Sequence, residues 1–356
     1  MKWTDVEQYN YELPEELIRT QGVEPRDEAR LFVYDTKTDT VTYDTFRNLA
    51  KYLPEESLLV LNNTRVLPAR LWLRKETGGK IEVFVLLNQI IEVGPQYRIP
   101  VLVDRKVVVG QKLLFPGGET LEIVDQDENI FYIKLPGGKA ELHELLEKYG
   151  ETPVPHYLED TTLSEDVLRE RYQTVFAKDD AGERASVAAP TASLHFTERV
   201  FAELAKKRIG EATLPLDVGS GTFAPLREQA FEAGKLHKEY VEVTEATVAR
   251  LNHAKENKQK VIAVGTTVTR TLEAIGKKGK AETYQGPVDI FLYPPYQFQM
   301  VDILITNFHL PKTSLMLLVE AFLENKGSKR GVVSLYEEAI REKFAFYSFG
   351  DSMLIK

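Results

Sequence analysis

The chain's 356 residues suffice for a sizeable core and two domains, and 43% hydrophobic with 28% charged residues is ordinary for a globular protein. A net charge of −9 argues against nonspecific nucleic-acid binding by the whole surface, which needs clustered Lys and Arg. The absence of cysteine excludes disulfides, thiolate metal sites and a cysteine nucleophile.

The amino terminus, Met1-Lys2-Trp3-Thr4-Asp5-Val6-Glu7, lacks the basic start and apolar run of a secretory signal. The longest apolar region, 301–323, is broken by Asn307, His309, Pro311 and Lys312, which would strand polar groups in a bilayer. These features predict a cytoplasmic protein with no membrane association. Residues 1 to about 65 mix short helical and strand signals. Leu58-Leu59-Val60-Leu61, bounded by Pro54 and Asn62-Asn63, reads as a buried strand ending in a polar loop. From about Arg70 the pattern becomes β-rich, with runs at 80–87, 98–103, 112–115, 120–124 and 130–135. Gly78-Gly79, Pro116-Gly117-Gly118 and Pro136-Gly137-Gly138 punctuate these runs, which predicts a small barrel or sandwich. A helical spacing of Leu142, Leu145 and Leu146 follows, and Pro153 and Pro155 mark a return linker.

Beyond the linker, helices at 198–207, 245–256 and 267–275 alternate with strands at 212–218 and 261–264, which predicts a mainly parallel sheet covered on both faces. The expected fold is therefore an α/β domain, residues 1–68 and 153–356, with a small β-barrel inserted at 69–152.

Four stretches within this framework are poor core and good site. Val187 to Phe196 is a run of small and hydroxylated residues ending in His195, where backbone can approach a ligand while Thr191 and Ser193 supply polar contacts. Val264-Gly265-Thr266-Thr267 leads from a strand into a helix with Thr266 or Thr267 as the expected cap, a natural seat for a carboxylate, and Arg270 one turn on offers a planar two-pronged donor or a partner for Glu273. Ile303 to Pro311 brings Asn307 and His309 to a strand end, and Leu214 to Phe223 brings Asp217 and a glycine-rich loop. That loop looks like the cofactor loop of Rossmann-type methyltransferases, but Pro225 makes an immediate helix unfavourable. The rings at Tyr293-Pro294-Pro295-Tyr296-Gln297-Phe298 serve either as a purine-stacking surface or as core. The six histidines include no i, i+4 pair, so no metal site is expected. Arg65, Arg70, Arg74, Lys75 and Lys80 form a local basic patch, otherwise a solvated strand face with a hairpin turn.

These islands, together with Asn62-Asn63-Thr64-Arg65-Val66-Leu67-Pro68-Ala69-Arg70, Arg171-Tyr172-Gln173-Thr174-Val175, Asn307-Phe308-His309-Leu310-Pro311 and Tyr347-Ser348-Phe349-Gly350-Asp351-Ser352-Met353, run in register over nearly the whole chain. In them the chain resembles the S-adenosylmethionine:tRNA ribosyltransferase-isomerases of queuosine biosynthesis. The resemblance implies S-adenosylmethionine as cosubstrate with no separate cofactor, and tRNA bound through its anticodon region; a monomer is expected, although the sequence leaves self-association open. It also implies ribosyl transfer to 7-aminomethyl-7-deazaguanine at the wobble position, with release of adenine and methionine and formation of an epoxycyclopentanediol. The sulfonium acidifies the C5′ hydrogens, so the path needs a base, a proton donor for the departing purine and a site closed to water.

On that reading His195, His309 and Asp217 carry the proton transfers, Thr191 and Ser193 meet the ribose, and Gly265, Thr266, Thr267, Arg270 and Asn307 bind the rest of the donor. Arg65, Arg70, Arg74 and Lys75 meet tRNA. Ser193 and Pro295 stand where the family commonly has glycine, Asp217 where it has histidine, and Leu236 where it has methionine. The competing readings are a methyltransferase and a catalytically silent RNA-binding module.

Overall fold

The computed structural model describes residues 3–356 other than 94–95, 136, 156–157, 159–160, 179–185, 218–225, 227 and 278; the side chains at 88, 91–93, 96–97, 217, 237 and 277 also lie outside the description. In chain order, β1 (Arg30–Asp35), β2 (Thr40–Thr45) and β3 (Leu58–Asn62) precede a β-rich block. That block holds β4 (Arg70–Lys75), β5 (Lys80–Val85), β6 (Ile91–Val93), β7 (Gln96–Val103), β8 (Lys112–Leu114), β9 (Thr120–Asp127), β10 (Ile130–Lys134), α1 (Gly138–Tyr149) and β11 (Gly150–Glu151). After α2 (Glu165–Arg171) and α3 (Glu198–Lys206) come β12 (Gly210–Leu214), β13 (Leu216–Asp217), α4 (Glu228–Ala233), β14 (Lys235–Val243), α5 (Glu245–Glu256), β15 (Val261–Val264) and α6 (Thr266–Ile275). The chain closes with β16 (Gly276–Lys277), β17 (Lys280–Ala281), β18 (Tyr284–Ile290), β19 (Ile303–Asn307), α7 (Ser314–Asn325), α8 (Val332–Arg341) and β20 (Ser352–Ile355).

The main sheet has seven strands in the order β12-β3-β15-β19-β20-β1-β2. Pairs β12–β3, β3–β15, β15–β19 and β1–β20 are parallel, whereas β19–β20 and β1–β2 are antiparallel. Strands β3, β15 and β19 are buried at every residue, as strands covered on both faces must be. Side-chain alternation splits their contacts. Leu58, Val60 and Ala263 face Leu251, Val268, Leu272 and Met316 of the helices on one side, while Leu59, Leu61 and Ile262 face Phe46, Phe196, Val200 and Leu204 on the other. Threonine caps begin three of the helices: Thr197, Thr244 and Thr313 accept N–H bonds at α3, α5 and α7.

The expected β-rich segment is a closed barrel. Strands β4-β5-β7-β10-β9-β8 pair antiparallel around a ring, with β10–β7 completing the closure. Its interior is filled by Leu71, Leu73, Ile81, Val83, Ile99, Val101, Leu121 and Ile133, capped by Leu142, Leu145 and Leu146 of α1. The α/β fold with an inserted barrel read from the sequence is the fold observed. It differs in detail. The expected strand 212–218 divides within its described part into β12 and β13, and the helix at 266–275 has Gly265 as its N-cap, with no side-chain cap bond, in place of Thr266 or Thr267. Among the described residues no helix is long and apolar enough to cross a membrane.

Where the chain leaves the barrel, β11 pairs with β4 through Gly150 and Leu71. A Cβ on Gly150 would lie 1.9 Å from the Pro68 carbonyl oxygen and 2.5 Å from that of Leu146, both main-chain atoms that cannot swing aside. Gly150→Ala is therefore expected to cost about 2 kcal/mol or more and to lower the thermal midpoint by several degrees. The control Gly79→Ala, with nothing within 4 Å of its new methyl group, leaves the midpoint near wild type. Equal midpoints for the two variants would contradict this packing.

Candidate active site at the strand ends

From β3 the chain runs first to β12 on one side and later to β15 on the other, so the winding direction reverses between β3 and β15. Open α/β sheets bind ligands outside the carboxyl ends of strands at such a reversal. A cleft of about 690 Å³ lies there, between the α/β layers and the barrel. Its walls are the 187–192 run, Gly265 to Thr267 at the end of β15, Thr306 to Leu310 at the end of β19, and Tyr347-Ser348. The barrel closes it with Arg70, Glu82, Phe84, Leu102 and Asp104.

Each stretch reaches the cleft for a local reason. Gly265 takes φ +94°, a conformation that L side chains avoid, and its N–H bonds to the Ile305 carbonyl at 2.8 Å. The chain thereby turns sharply from β15 into α6 beside β19. With no side-chain cap bond, the first N–H groups of α6 carry the positive end of the helix dipole toward the cleft. Asn307 is buried, its Oδ1 accepts the Thr191 hydroxyl at 3.1 Å, and its Nδ2 has no partner among the described residues. An uncompensated buried amide costs roughly 1–3 kcal/mol, which a ligand acceptor would recover.

His309 is set by Tyr336. The tyrosine oxygen accepts the backbone N–H of His309 at 3.4 Å and lies within hydrogen-bond distance of Nδ1 at 2.9 Å. Nε2 lies 3.3 Å from the Thr306 hydroxyl on the cleft wall. Burial lowers the imidazole pKa to about 3, so the ring is neutral at pH 7, with one nitrogen a donor and the other an acceptor. The His309 carbonyl accepts the Tyr11 hydroxyl.

His195 has a different setting. It lies off the main cleft against a small crevice formed with Gly350 and Arg171, its Nε2 sits 2.9 Å from the Gly350 carbonyl, and its ring packs on Phe46. Burial pushes its pKa down as well. Through Gly350 it steadies the turn 345–351, in which Asp351 accepts the N–H groups of Arg30 and Ala345 at 2.9 and 2.7 Å. That turn holds Tyr347 at φ +71°, a strained conformation for a bulky residue, on the cleft wall.

The remaining predicted residues divide. Thr191, Gly265, Thr266, Thr267, Asn307, His309 and Arg70 share the cleft. Ser193 is buried outside its lining, with an unpartnered hydroxyl among the described residues. Arg270 is buried and bonds to Glu239 at 3.0 Å and to the Ile290 carbonyl at 3.1 Å, while Glu273 instead accepts the N–H groups of Gln299, Met300 and Val301. The Asp217 side chain and the 218–225 loop lie outside the described residues. Arg65, ahead of β4, pairs with Glu147 of α1 at 3.1 Å, whereas Arg74 bonds to the Gly78 carbonyl at 3.1 Å and Lys75 to the Lys106 carbonyl, so only the latter two sit along the β4–β5 hairpin. The rings of Tyr293, Tyr296 and Phe298 pack on core aromatics rather than on the cleft.

Sequence reasoning missed the barrel wall. In β5 the buried Ile81, Val83 and Val85 alternate with half-buried Glu82 and Phe84. A phenylalanine on the outer face of a barrel strand was the available signal, since such a face needs a cover. Tyr336 carried no local signal at all.

Both buried histidines give the site a pH signature. Unfolded rings take up a proton near pH 6.5, whereas the folded ones resist it, so the unfolded chain binds more protons and stability, complete above about pH 6.5, falls on acidification. His309→Gln is expected to remove about 1.4 kcal/mol per pH unit from that slope between pH 6 and pH 4. Urea unfolding across this range measures it, and an unchanged slope would show that His309 is not buried as a neutral ring.

Comparison with known proteins places this arrangement in a family. The family described as "Queuosine biosynthesis protein" matches residues 6–355. S-adenosylmethionine:tRNA ribosyltransferase-isomerases from Halothermothrix orenii and Carboxydothermus hydrogenoformans are 43% and 41% identical, covering 98% of this chain and 99% and 98% of theirs. The crystal structure of S-adenosylmethionine tRNA ribosyltransferase from Thermotoga maritima superposes with a TM-score of 0.55 at 31% identity, over 98% of this chain and all of that one. The chain belongs to the S-adenosylmethionine:tRNA ribosyltransferase-isomerase family of queuosine biosynthesis enzymes.

Proposed function

We propose that the cleft transfers and isomerises the ribosyl group of S-adenosylmethionine onto 7-aminomethyl-7-deazaguanine at the wobble position of a tRNA, giving epoxyqueuosine with release of adenine and methionine. The observation that carries this reading is the opposition of two kinds of group across one space. The uncapped start of α6 and the unpartnered Asn307 amide stand on one wall, and Glu82 and Asp104 stand on the barrel wall.

The methionine carboxylate of the donor fits the α6 N–H groups at Gly265 to Thr267. The hydroxyl of Thr191 and the amide of Asn307 suit the ribose. On the opposite wall, Glu82 and Asp104 suit the cationic aminomethyl group of the acceptor base. Glu82 lies 3.5 Å from Arg70, and Asp104 accepts the Glu82 N–H at 2.8 Å, which fixes both carboxylates. Apolar Phe84, Leu102 and Val187 exclude water from between them.

In the reaction, a base removes a C5′ proton beside the sulfonium, and collapse of the ylide expels adenine. His309, neutral and on the cleft wall, serves the departing purine as donor in the tautomer that carries its hydrogen on Nε2. Asp217 remains the proposed base from the sequence. His195, bonded to Gly350 away from the cleft, enters as a positioning residue in place of a direct proton carrier. Arg70 at the cleft edge, Arg74 and Lys75 on the hairpin beyond it, and Arg65 ahead of the barrel are the proposed tRNA contacts. The anticodon arm then approaches from the barrel side. We read the enzyme as a cytoplasmic monomer.

Incubation of the protein with S-adenosylmethionine and tRNA carrying 7-aminomethyl-7-deazaguanine should yield adenine and methionine. S-adenosylhomocysteine as product would replace ribosyl transfer with methyl transfer. In the same assay Glu82→Gln is expected to raise the KM for tRNA about tenfold or more, the worth of a charge-assisted hydrogen bond, with the KM for S-adenosylmethionine unchanged. A rise in the donor's KM alone would move Glu82 to the other substrate.

A further inference from the structure

A second cavity, of about 580 Å³, opens at the carboxyl ends of β3 and β12 and shares no lining residue with the main cleft. Asn63, Thr64 and Arg65, the last paired with Glu147, form one side, Glu211 and Thr213 the floor, and Thr244, Thr247 and Arg250 at the start of α5 the other side, with Lys178 at the edge. Two observations mark it as built for a ligand. The first is a pair of polar atoms left open in a buried position. Asn63 and Thr64 are 6% and 4% exposed, and Asn63 Oδ1 and Thr64 Oγ1 have no partner among the described residues. Their main chains are spoken for: Asn63 N–H bonds to the Leu214 carbonyl, Asn63 carbonyl accepts Lys178 N–H, and Thr64 N–H bonds to Asn62 Oδ1. The backbone of both residues is thereby fixed at the cavity they line. The second is the charge pattern. The positive end of the twelve-residue α5, Lys178 and Arg250 converge on a space whose acceptors are Glu211 and Asn63 Oδ1.

Cations with a helix start ask for a phosphate, and a carboxylate beside an amide oxygen asks for hydroxyl donors. We propose that this cavity holds the ribose-phosphate of an RNA nucleotide flanking the one that enters the main cleft, with Lys178 and Arg250 on the phosphate and Asn63 and Glu211 on the ribose hydroxyls. The proposal rests on the tRNA reading above and adds a second anchoring point, on the α/β domain, to the one assigned to the barrel hairpin. A nucleotide held here while its neighbour is drawn into the cleft keeps the strand splayed, the state in which a base is accessible for chemistry.

The test is a fluorescence-anisotropy titration of a labelled anticodon stem-loop RNA against the full chain at several salt concentrations. Lys178→Gln and Arg250→Gln are each expected to weaken binding about fivefold and to lower the salt slope by about one. Thermal midpoint and S-adenosylmethionine affinity should stay at wild-type values, and a stem-loop with 2′-deoxy sugars around the target base should lose its sensitivity to Asn63→Ala. Wild-type affinity and slope in both variants, with wild-type protein still binding RNA and releasing adenine, would overturn this site alone. Failure of the wild type to bind RNA would overturn it together with the tRNA reading. A fall in S-adenosylmethionine affinity in step with that for RNA would assign the cavity to the donor. Saturable binding of free uridine 5′-monophosphate, lost in the variants while RNA affinity is kept, would assign it to a free nucleotide.

Discussion

In an open α/β sheet, strands buried on both faces offer a ligand crevice at their carboxyl ends where the winding reverses, and the cleft depends on that constraint. Between β3 and β15 the winding reverses, and Gly265 and the buried Asn307 at neighbouring strand ends border the cleft within an otherwise apolar layer. The barrel inserted after β3 then covers the opening. A ligand there meets main-chain N–H groups and short polar side chains from one domain and carboxylates from the other. Neither part alone offers both.

The polar groups beneath the cleft are held in states that water would not allow. Tyr336 sits within hydrogen-bond distance of the neutral His309 ring, and Asp351 with His195 holds a strained turn against the cleft wall. Burial is what fixes these states, since it disfavours the imidazolium on both rings. The same burial makes each group expensive to alter, so stability and catalytic geometry are coupled through a few residues. The main-chain bonds of the turn, including Tyr347 N–H to Phe308 carbonyl, tie the final strand of the sheet to the loop that bears His309.

Local patterns in the chain were enough for the elements whose burial is uniform. Val261–Val264 and Glu245–Glu256 stand in the structure with the bounds their periodicity implies, and the glycine-punctuated runs are barrel strands. The small-residue run at 187–192 and the strand ends at 265–267 and 306–309 were legible because their residues are too small or too polar for core. What was illegible is set by distant partners. The strand at 352–355 is short and terminal, and only its place between β1 and β19 makes it a strand. Arg270 looks identical in sequence whether it faces a ligand or Glu239. Glu82 and Phe84 acquire meaning only when a second domain covers the outer face of β5.

The central claim is that donor and acceptor meet in the space between the end of β15 and the barrel. A crystal structure with bound S-adenosylmethionine tests it most directly. The account predicts the methionine carboxylate at the N–H groups of residues 265–267, the ribose beside Thr191 and Asn307, and the sulfonium facing the barrel wall. Density for the donor in the second cavity near Asn63 and Arg250, or on the outer face of the hairpin, would contradict it.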